Sequence, residues 1–155
     1  MSPRMIRKVL SALLPSCLLL STSACAMRDA SHEPSTTLRI GAHQVRAQVA
    51  RTLQERETGL MGRTFLPQNS GMLFVFKHPQ KVCMWMKNTP MPLSVAFATS
   101  DGVITNIAKM APETLAAHCS TKAVSYAVEM NINWFQLNSV GPGDKIRASA
   151  NPSRP

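Results

Sequence analysis

The chain is 155 residues long and carries 17 Lys or Arg against 8 Asp or Glu, a formal charge of +9, with four cysteines. That length suits one domain around a single core, and the absence of any internal repeat or second composition regime excludes a repeat array. The basic residues are scattered and form no run interleaved with aromatics, which argues against a nucleic-acid surface and leaves weak attraction to anionic lipid or polysaccharide.

Arg4, Arg7 and Lys8 precede an apolar run from Val9 to Leu20, and small residues follow from Ser21 to Ala26. This is the layout of a secretory signal over residues 1–26. A helix crossing the hydrocarbon core needs about 20 apolar residues, and this run is shorter and contains Pro15, so it is not read as a permanent anchor. Two processing routes fit. Thr22-Ser23-Ala24-Cys25 resembles a lipoprotein box, and a diacylated Cys25 would hold the protein on a membrane leaflet. Ala24-Cys25-Ala26 fits the small-x-small site of ordinary signal peptidase, whose cut releases a soluble periplasmic protein. Without the signal, 14 basic residues face 8 acidic ones, a net of +6. Residues 27–37 are polar and read as a flexible tether, and residues 150–155 as a disordered tail.

The span 38–149 reads as a single β domain. Leu38 to Ile40 and Gln44 to Val49 alternate like half-buried strands. A helix follows, because Thr52 and Glu55 have capping-box spacing; Leu53, Leu60 and Met61 mark its apolar stripe, and it ends by Gly62. Phe65 to Gly71 is a loop, and Met72 to Phe76 is an apolar strand. Val82 to Asn88 is a further strand, with Val82, Met84 and Met86 on one face and Cys83, Trp85 and Lys87 on the other. Leu93 to Thr99 and Val103 to Ile107 flank Asp101-Gly102 and form a hairpin. Ala111 to Lys122 is irregular, Val124 to Met130 alternates again, and Asn133 with Gln136 caps a short helix through Leu137. Gly141-Pro142-Gly143-Asp144 turns into a last strand, Lys145 to Ala148. The pattern predicts a mostly β fold of six or seven strands: an antiparallel sandwich or partly closed barrel, with one or two short helices covering sheet edges.

Cys17 lies in the signal and Cys25 is removed or lipidated, so both routes leave Cys83 and Cys119. In an exported protein two remaining thiols suggest a disulfide; the alternative is two separate buried thiols.

Several motifs, in this order and spacing, resemble the domain of unknown function 192 (DUF192) family. They are Glu55-Arg56-Glu57-Thr58-Gly59-Leu60-Met61-Gly62-Arg63, Gly71-Met72-Leu73-Phe74-Val75-Phe76, Trp85-Met86-Lys87-Asn88-Thr89 followed by Pro92-Leu93, and Gly141-Pro142-Gly143-Asp144. The resemblance runs from about Val49 to Ile146. It implies a compact jelly-roll-like β domain, often exported, and brings no established activity. Many members carry an Asp after the Pro-Leu pair where this chain has Ser94, so no role of that carboxylate is carried over.

Trp85 to Thr89 with Arg63 is the first candidate site, since an aromatic face, a cation and an amide suit a carbohydrate or carboxylate-bearing ligand. The structural alternative makes Trp85 a core anchor and Asn88 a turn cap. Glu129 is the one acid on its strand face; it either pairs with Lys87 or Arg63 across the sheet or, the reading preferred, is a solvated charge. Met61, Met72, Met84, Met86, Met91, Met110 and Met130, with His118 and Cys119, have the softness for Cu(I) but no ligand spacing, so no metal or other cofactor is expected. The four His lie near no recognisable nucleophile motif, and a Cys-x-x-Cys redox site is missing.

The resulting expectation is a monomeric, exported binding or accessory module, periplasmic or membrane-anchored, for a small molecule or envelope component. Its tentative ligand residues are Arg63, Trp85, Lys87, Asn88 and Glu129. It touches membrane only through a lipidated Cys25 and binds no nucleic acid. The alternatives are an envelope-acting hydrolase and a Cu(I)-binding protein.

Overall fold

A computed structural model describes residues 35–149. The signal, Cys25, the tether as far as Pro34 and the tail from Ala150 lie outside the described residues. The strands are β1 (Ser35–Ile40), β2 (His43–Ala50), β3 (Ser70–Gln80), β4 (Cys83–Met84), β5 (Leu93–Ala98), β6 (Ile104–Met110), β7 (His118–Cys119), β8 (Val124–Asn131) and β9 (Ile146–Ala148). Two short helices, α1 (Leu53–Thr58) and α2 (Trp134–Leu137), complete the fold.

Seven strands form one curled sheet in the order β6-β5-β8-β3-β2-β1-β9, and β4 pairs separately with β7. All pairs are antiparallel except β2 with β3, which run parallel because α1 carries the chain over between them. That pair departs from the all-antiparallel expectation. The two ends of the sheet meet: Val103 bridges Lys145, the Ile104 amide donates to the Asp144 carbonyl at 2.8 Å, and the Ile146 amide donates to the Gly102 carbonyl at 2.9 Å. The sheet is thus a partly closed barrel, as the alternation predicted, and its edges are sealed at one corner.

Alternation along the strands builds two apolar layers on opposite faces of the sheet. Leu38, Ile40, Val45, Ala47, Val49, Val128 and Met130 point inward, and Trp134 and Phe135 of α2 pack against them. Trp134 stands edge-on to Phe135 with ring centroids 5.3 Å apart. Met72, Phe74, Leu93, Val95, Phe97 and Ala127 point outward into a second buried layer. Every residue of β5 is therefore buried, which explains its near-continuous apolar run. Each fully buried large apolar side chain contributes about 1.5–3 kcal/mol.

Local signals were read well at α1, where Glu55 donates its amide to Thr52 Oγ1 at 3.2 Å and accepts the Thr52 amide at 2.8 Å. The helix stops at Thr58, because Gly59 takes a positive φ. With fewer than two turns it has no buried stripe, and Leu53 is 64% exposed. Leu60 is buried, but from the loop beyond the helix. Strand β1 starts ahead of the expected Leu38, and β6 continues past Ile107 to Met110. Asn133 does not cap α2 with its side chain: it takes a left-handed backbone, and its amide donates to Ser94 Oγ at 3.1 Å. Of the strand expected from Val82 to Asn88, only Cys83–Met84 is paired, because β7 offers just two residues to pair with. The facing alternation persists beyond the pairing, with Val82 and Met86 buried and Cys83, Trp85 and Lys87 exposed.

The barrel seam depends on Gly102, whose φ is +81° and whose missing side chain lets the chain pass Ile146; a Cβ there would lie 2.2 Å from the Ile146 carbonyl oxygen. Gly102→Ala is expected to cost about 2–4 kcal/mol and to lower the melting temperature by about 10 °C or more. Gly141→Ala, with nothing within 4 Å of its new methyl, should leave the melting curve nearly unchanged. Scanning calorimetry of both variants checks the contrast.

Candidate functional site

The outer face of the sheet is covered by a flap made of β4 and β7. Cys83 pairs directly with Cys119 across it, with Cα atoms 4.0 Å apart, and the two form a disulfide. Asn106 of β6 ties the flap to the barrel: its Nδ2 donates to the Cys119 carbonyl at 3.1 Å, and its Oδ1 accepts the Thr121 amide at 2.9 Å. Ser120 seals the base, accepting the Val82 amide at 3.1 Å and donating to the Lys122 carbonyl at 2.7 Å.

Between flap, α1 and sheet lies a cavity of about 210 Å³. Phe74, Phe76, Leu60 and Met84 give it an apolar lining, and Arg56, Trp85 and Lys87 stand in its wall. Arg56 is fixed by three contacts. Its guanidinium donates to the Arg51 and Val75 carbonyls, the latter at 3.2 Å, and lies 5.4 Å from the Phe76 ring centroid. The Lys87 ammonium sits 5.9 Å from the centroid of Trp85, which is half exposed.

Glu129 also lines the cavity. It sits on β8 between Met72 of β3 and Val95 of β5 and is 4% exposed. Burial pushes its carboxyl up to about 8 from an ordinary 4.5, since a low-dielectric site disfavours the charged form. The group is therefore a neutral acid at pH 7, able to donate one hydrogen bond and accept another. This corrects the expectation of a solvated charge. Desolvation is what raises the carboxyl, and Lys87 lines the same cavity.

Of the residues suspected from sequence, Trp85, Lys87 and Glu129 share the cavity, while Arg63 and Asn88 do not line it. Asn88 holds a left-handed turn with φ 54°, and its carbonyl accepts the Gly62 amide at 2.7 Å. Arg63 is half buried, and its amide donates to the Leu60 carbonyl at 3.2 Å. Sequence reasoning placed neither Arg56 nor Phe76 in a site and raised Met84 only as a Cu(I) ligand; the three lie in different segments that only the fold brings together.

Among the described residues no group of three or more His, Cys, Asp or Glu is placed to hold a metal ion. The copper reading also loses its thiolate, since Cys119 is in the disulfide. A larger cavity of about 330 Å³ opens beside Leu38, Val75 and Tyr126, but no buried ionisable group lines it.

Residues 36–148 match the family model DUF192, described as uncharacterized ACR, COG1430. The chain belongs to this family. It is similar to a crystal structure of a provisionally assigned transcription regulator from Sinorhizobium meliloti 1021, at 34% identity and a TM-score of 0.73 over 75% of this chain and 95% of that one. It is also similar to a protein of unknown function from Novosphingobium aromaticivorans DSM 12444, at 28% identity and a TM-score of 0.73 over 76% of this chain and 88% of the other. No curated protein matches it significantly. The DUF192 membership accounts for the fold and leaves the chemistry to be argued from the cavity.

Glu129 sets a pH dependence whose sign follows from its raised carboxyl. Between about 4.5 and about 8 the folded state keeps a proton that the unfolded chain has lost. Stability should therefore fall as pH rises through that window, by several kcal/mol in order of magnitude, and level off above it. Glu55 and Asp101, whose carboxyls are lowered by hydrogen bonds chiefly from the Thr52 amide and the Thr99 hydroxyl, act only at lower pH. Glu129→Gln should abolish the slope and raise stability at pH 8. Urea midpoints at pH 5, 6.5 and 8 test this, and an unchanged slope in the variant would refute it.

Proposed function

We propose that this DUF192 protein is an exported binding module that takes a small amphiphilic ligand into the cavity under the flap. The observation that carries the reading is Glu129, a neutral carboxyl at the end of an apolar cavity. A perturbed acid in a cleft is a functional-site candidate, and here its burial destabilises the fold above neutral pH. The lining suits a ligand with an apolar body against Phe74, Phe76 and Leu60 and a hydrogen-bonding head at Glu129. At the mouth, the Trp85 ring and the Lys87 ammonium suit a polar or anionic end. Export is supported by the charged, apolar and small-residue layout of residues 1–26 and by the disulfide, which persists in oxidising compartments. The regulator name of the Sinorhizobium protein is not extended to this chain, whose basic residues form no run for a nucleic acid.

The probe for the cavity is anilinonaphthalene sulfonate, which has an apolar body and an anionic end. Wild-type protein should bind one equivalent with enhanced fluorescence. Glu129→Leu should stay folded and lose the dependence of binding on pH across the window near 8, and Lys87→Ala should weaken binding about tenfold by removing one charge-assisted contact. Binding unaffected by both changes would sink the proposal. Intact mass of the protein from its own host tests export: a chain starting at diacylated Cys25 or at Met27 supports it, and an uncut chain refutes it.

A second reading, an envelope-acting hydrolase, is favoured by Lys87 and Glu57 lining the same cavity as Glu129. A carboxyl that stays protonated to about pH 8 can serve as a general acid. Turnover of nitrophenyl glycosides or esters that disappears in Glu129→Gln would establish it in place of the binding module.

A further inference from the structure

The disulfide that holds the flap lies on its outer surface. Cys83 and Cys119 are both exposed, whereas Val82 and Met86, at the two ends of the stretch from Cys83 to Trp85, are buried. A thiolate from solvent can reach an exposed disulfide, and such bonds exchange more readily than the resistant ones that only staple a fold.

The non-covalent ties of the flap are unevenly placed. At its base the Lys81 ammonium donates to the Ser120 and Thr121 carbonyls, and the Ser120 amide donates to the Val82 carbonyl at 2.8 Å. At the far end the Met86 amide donates to the Thr114 carbonyl at 3.0 Å. Strand β7 is held to the barrel by Asn106. Between these fixed points Cys83, Met84 and Trp85 line the cavity, and β4 belongs to no ladder except the two-residue one with β7. A pair that short does not hold by itself in water. The covalent bond is therefore what keeps this part of the wall against β7, while the barrel has its own seam.

We propose that the Cys83–Cys119 bond is a thiol-exchange site, and that its reduction by a dithiol opens the cavity wall and releases the ligand. This control of the cavity rests on its being a binding site. One thiolate of the dithiol attacks the sulfur of either cysteine and forms a mixed disulfide, and the other cysteine leaves as a thiolate that takes up a proton. The second thiolate of the dithiol then attacks the dithiol's own sulfur in the mixed disulfide and expels the remaining cysteine, which is protonated in turn. Two electrons pass to the protein, and the dithiol becomes a disulfide. The stretch from Cys83 to Trp85 then swings away between Val82 and Met86, and the barrel stays folded.

Dithiothreitol is added to the folded full chain at pH 7. Because the chain has four cysteines, alkylation followed by peptide mass counts the thiols at Cys83 and Cys119 separately. The bond should be reduced without denaturant, at a rate within about tenfold of that in urea. Amide exchange at residues 82–86 should then rise about tenfold or more, while β3, β5 and β8 keep their protection. Anilinonaphthalene sulfonate should bind the reduced protein about tenfold more weakly, as the share of molecules with a closed wall falls, and reoxidation should restore the affinity. Cys83→Ser combined with Cys119→Ser should behave as the reduced protein does; the reduced wild type keeps the test decisive where that variant does not fold. A bond reduced only on unfolding, unchanged exchange at residues 82–86, protection lost throughout the barrel, or equal binding by the oxidised and reduced forms would overturn the proposal. Absence of binding by the oxidised protein would overturn the binding reading itself, and the exchange data tell that result apart from a flap that does not open.

Discussion

The site depends on holding a flap of two two-residue strands against a sheet with which it shares no strand ladder. An isolated pair that short cannot sustain itself in water, so other forces must fix it over the outer apolar layer. The Cys83–Cys119 disulfide closes a loop of 36 residues, and on the loop-entropy account that restricts the unfolded chain by roughly 4 kcal/mol at most. Asn106 adds hydrogen bonds from the barrel side, and Ser120 satisfies the backbone at the base. Remove the covalent link and the remaining bonds, worth about 1 kcal/mol each, must hold Val82 and Met86 in place against solvent. The cavity wall is therefore built on the disulfide, whereas the barrel itself is not.

Fixing the flap also explains why Glu129 is buried. Its strand, β8, lies in the middle of the sheet between β3 and β5, so every second side chain must point into the layer beneath the flap. Ala127 and Phe97 suit that layer; a carboxyl does not, and it responds by holding its proton. A polar group placed where the packing asks for an apolar one is the local inconsistency that tends to mark a functional position. The same burial that weakens the fold above neutral pH makes the group a hydrogen-bond donor at pH 7.

Much of the barrel was legible in the sequence because its signals are local. The Thr52 and Glu55 spacing, the alternation of β1, β2 and β8, and the turn at Asp101-Gly102 each specify their own geometry without reference to distant residues. Cysteine elimination likewise found the disulfide. The failures came where partners decide. Val82 to Asn88 alternates like a strand, yet its pairing ends with β7 after two residues. Glu129 sits opposite Met72 and Val95, and neither neighbour can be assigned to it before the strand order is known, so its face was taken for solvent. Arg56 and Phe76 lie in separate elements, α1 and β3, and their stacking appears only once the parallel pairing of β2 and β3 sets the crossover.

Ser94 shows how the two faces of one strand divide the work. Many relatives are expected to carry an Asp at this position, which invites the idea of a missing active group. In this chain Ser94 is buried, and its oxygen accepts the Asn133 amide at 3.1 Å. It thereby fixes the left-handed residue that leads into α2, whose Trp134 and Phe135 close the inner layer. A carboxylate at the same point can accept the same amide, so the exchange is understandable as an N-terminal helix contact without any catalysis. The neighbours of Ser94 on β5, Leu93 and Val95, face the opposite, outer layer where Glu129 lies. The cavity with its buried carboxyl thus lies on the outer face, beneath the flap, and Ser94 belongs to the packing that closes the inner one.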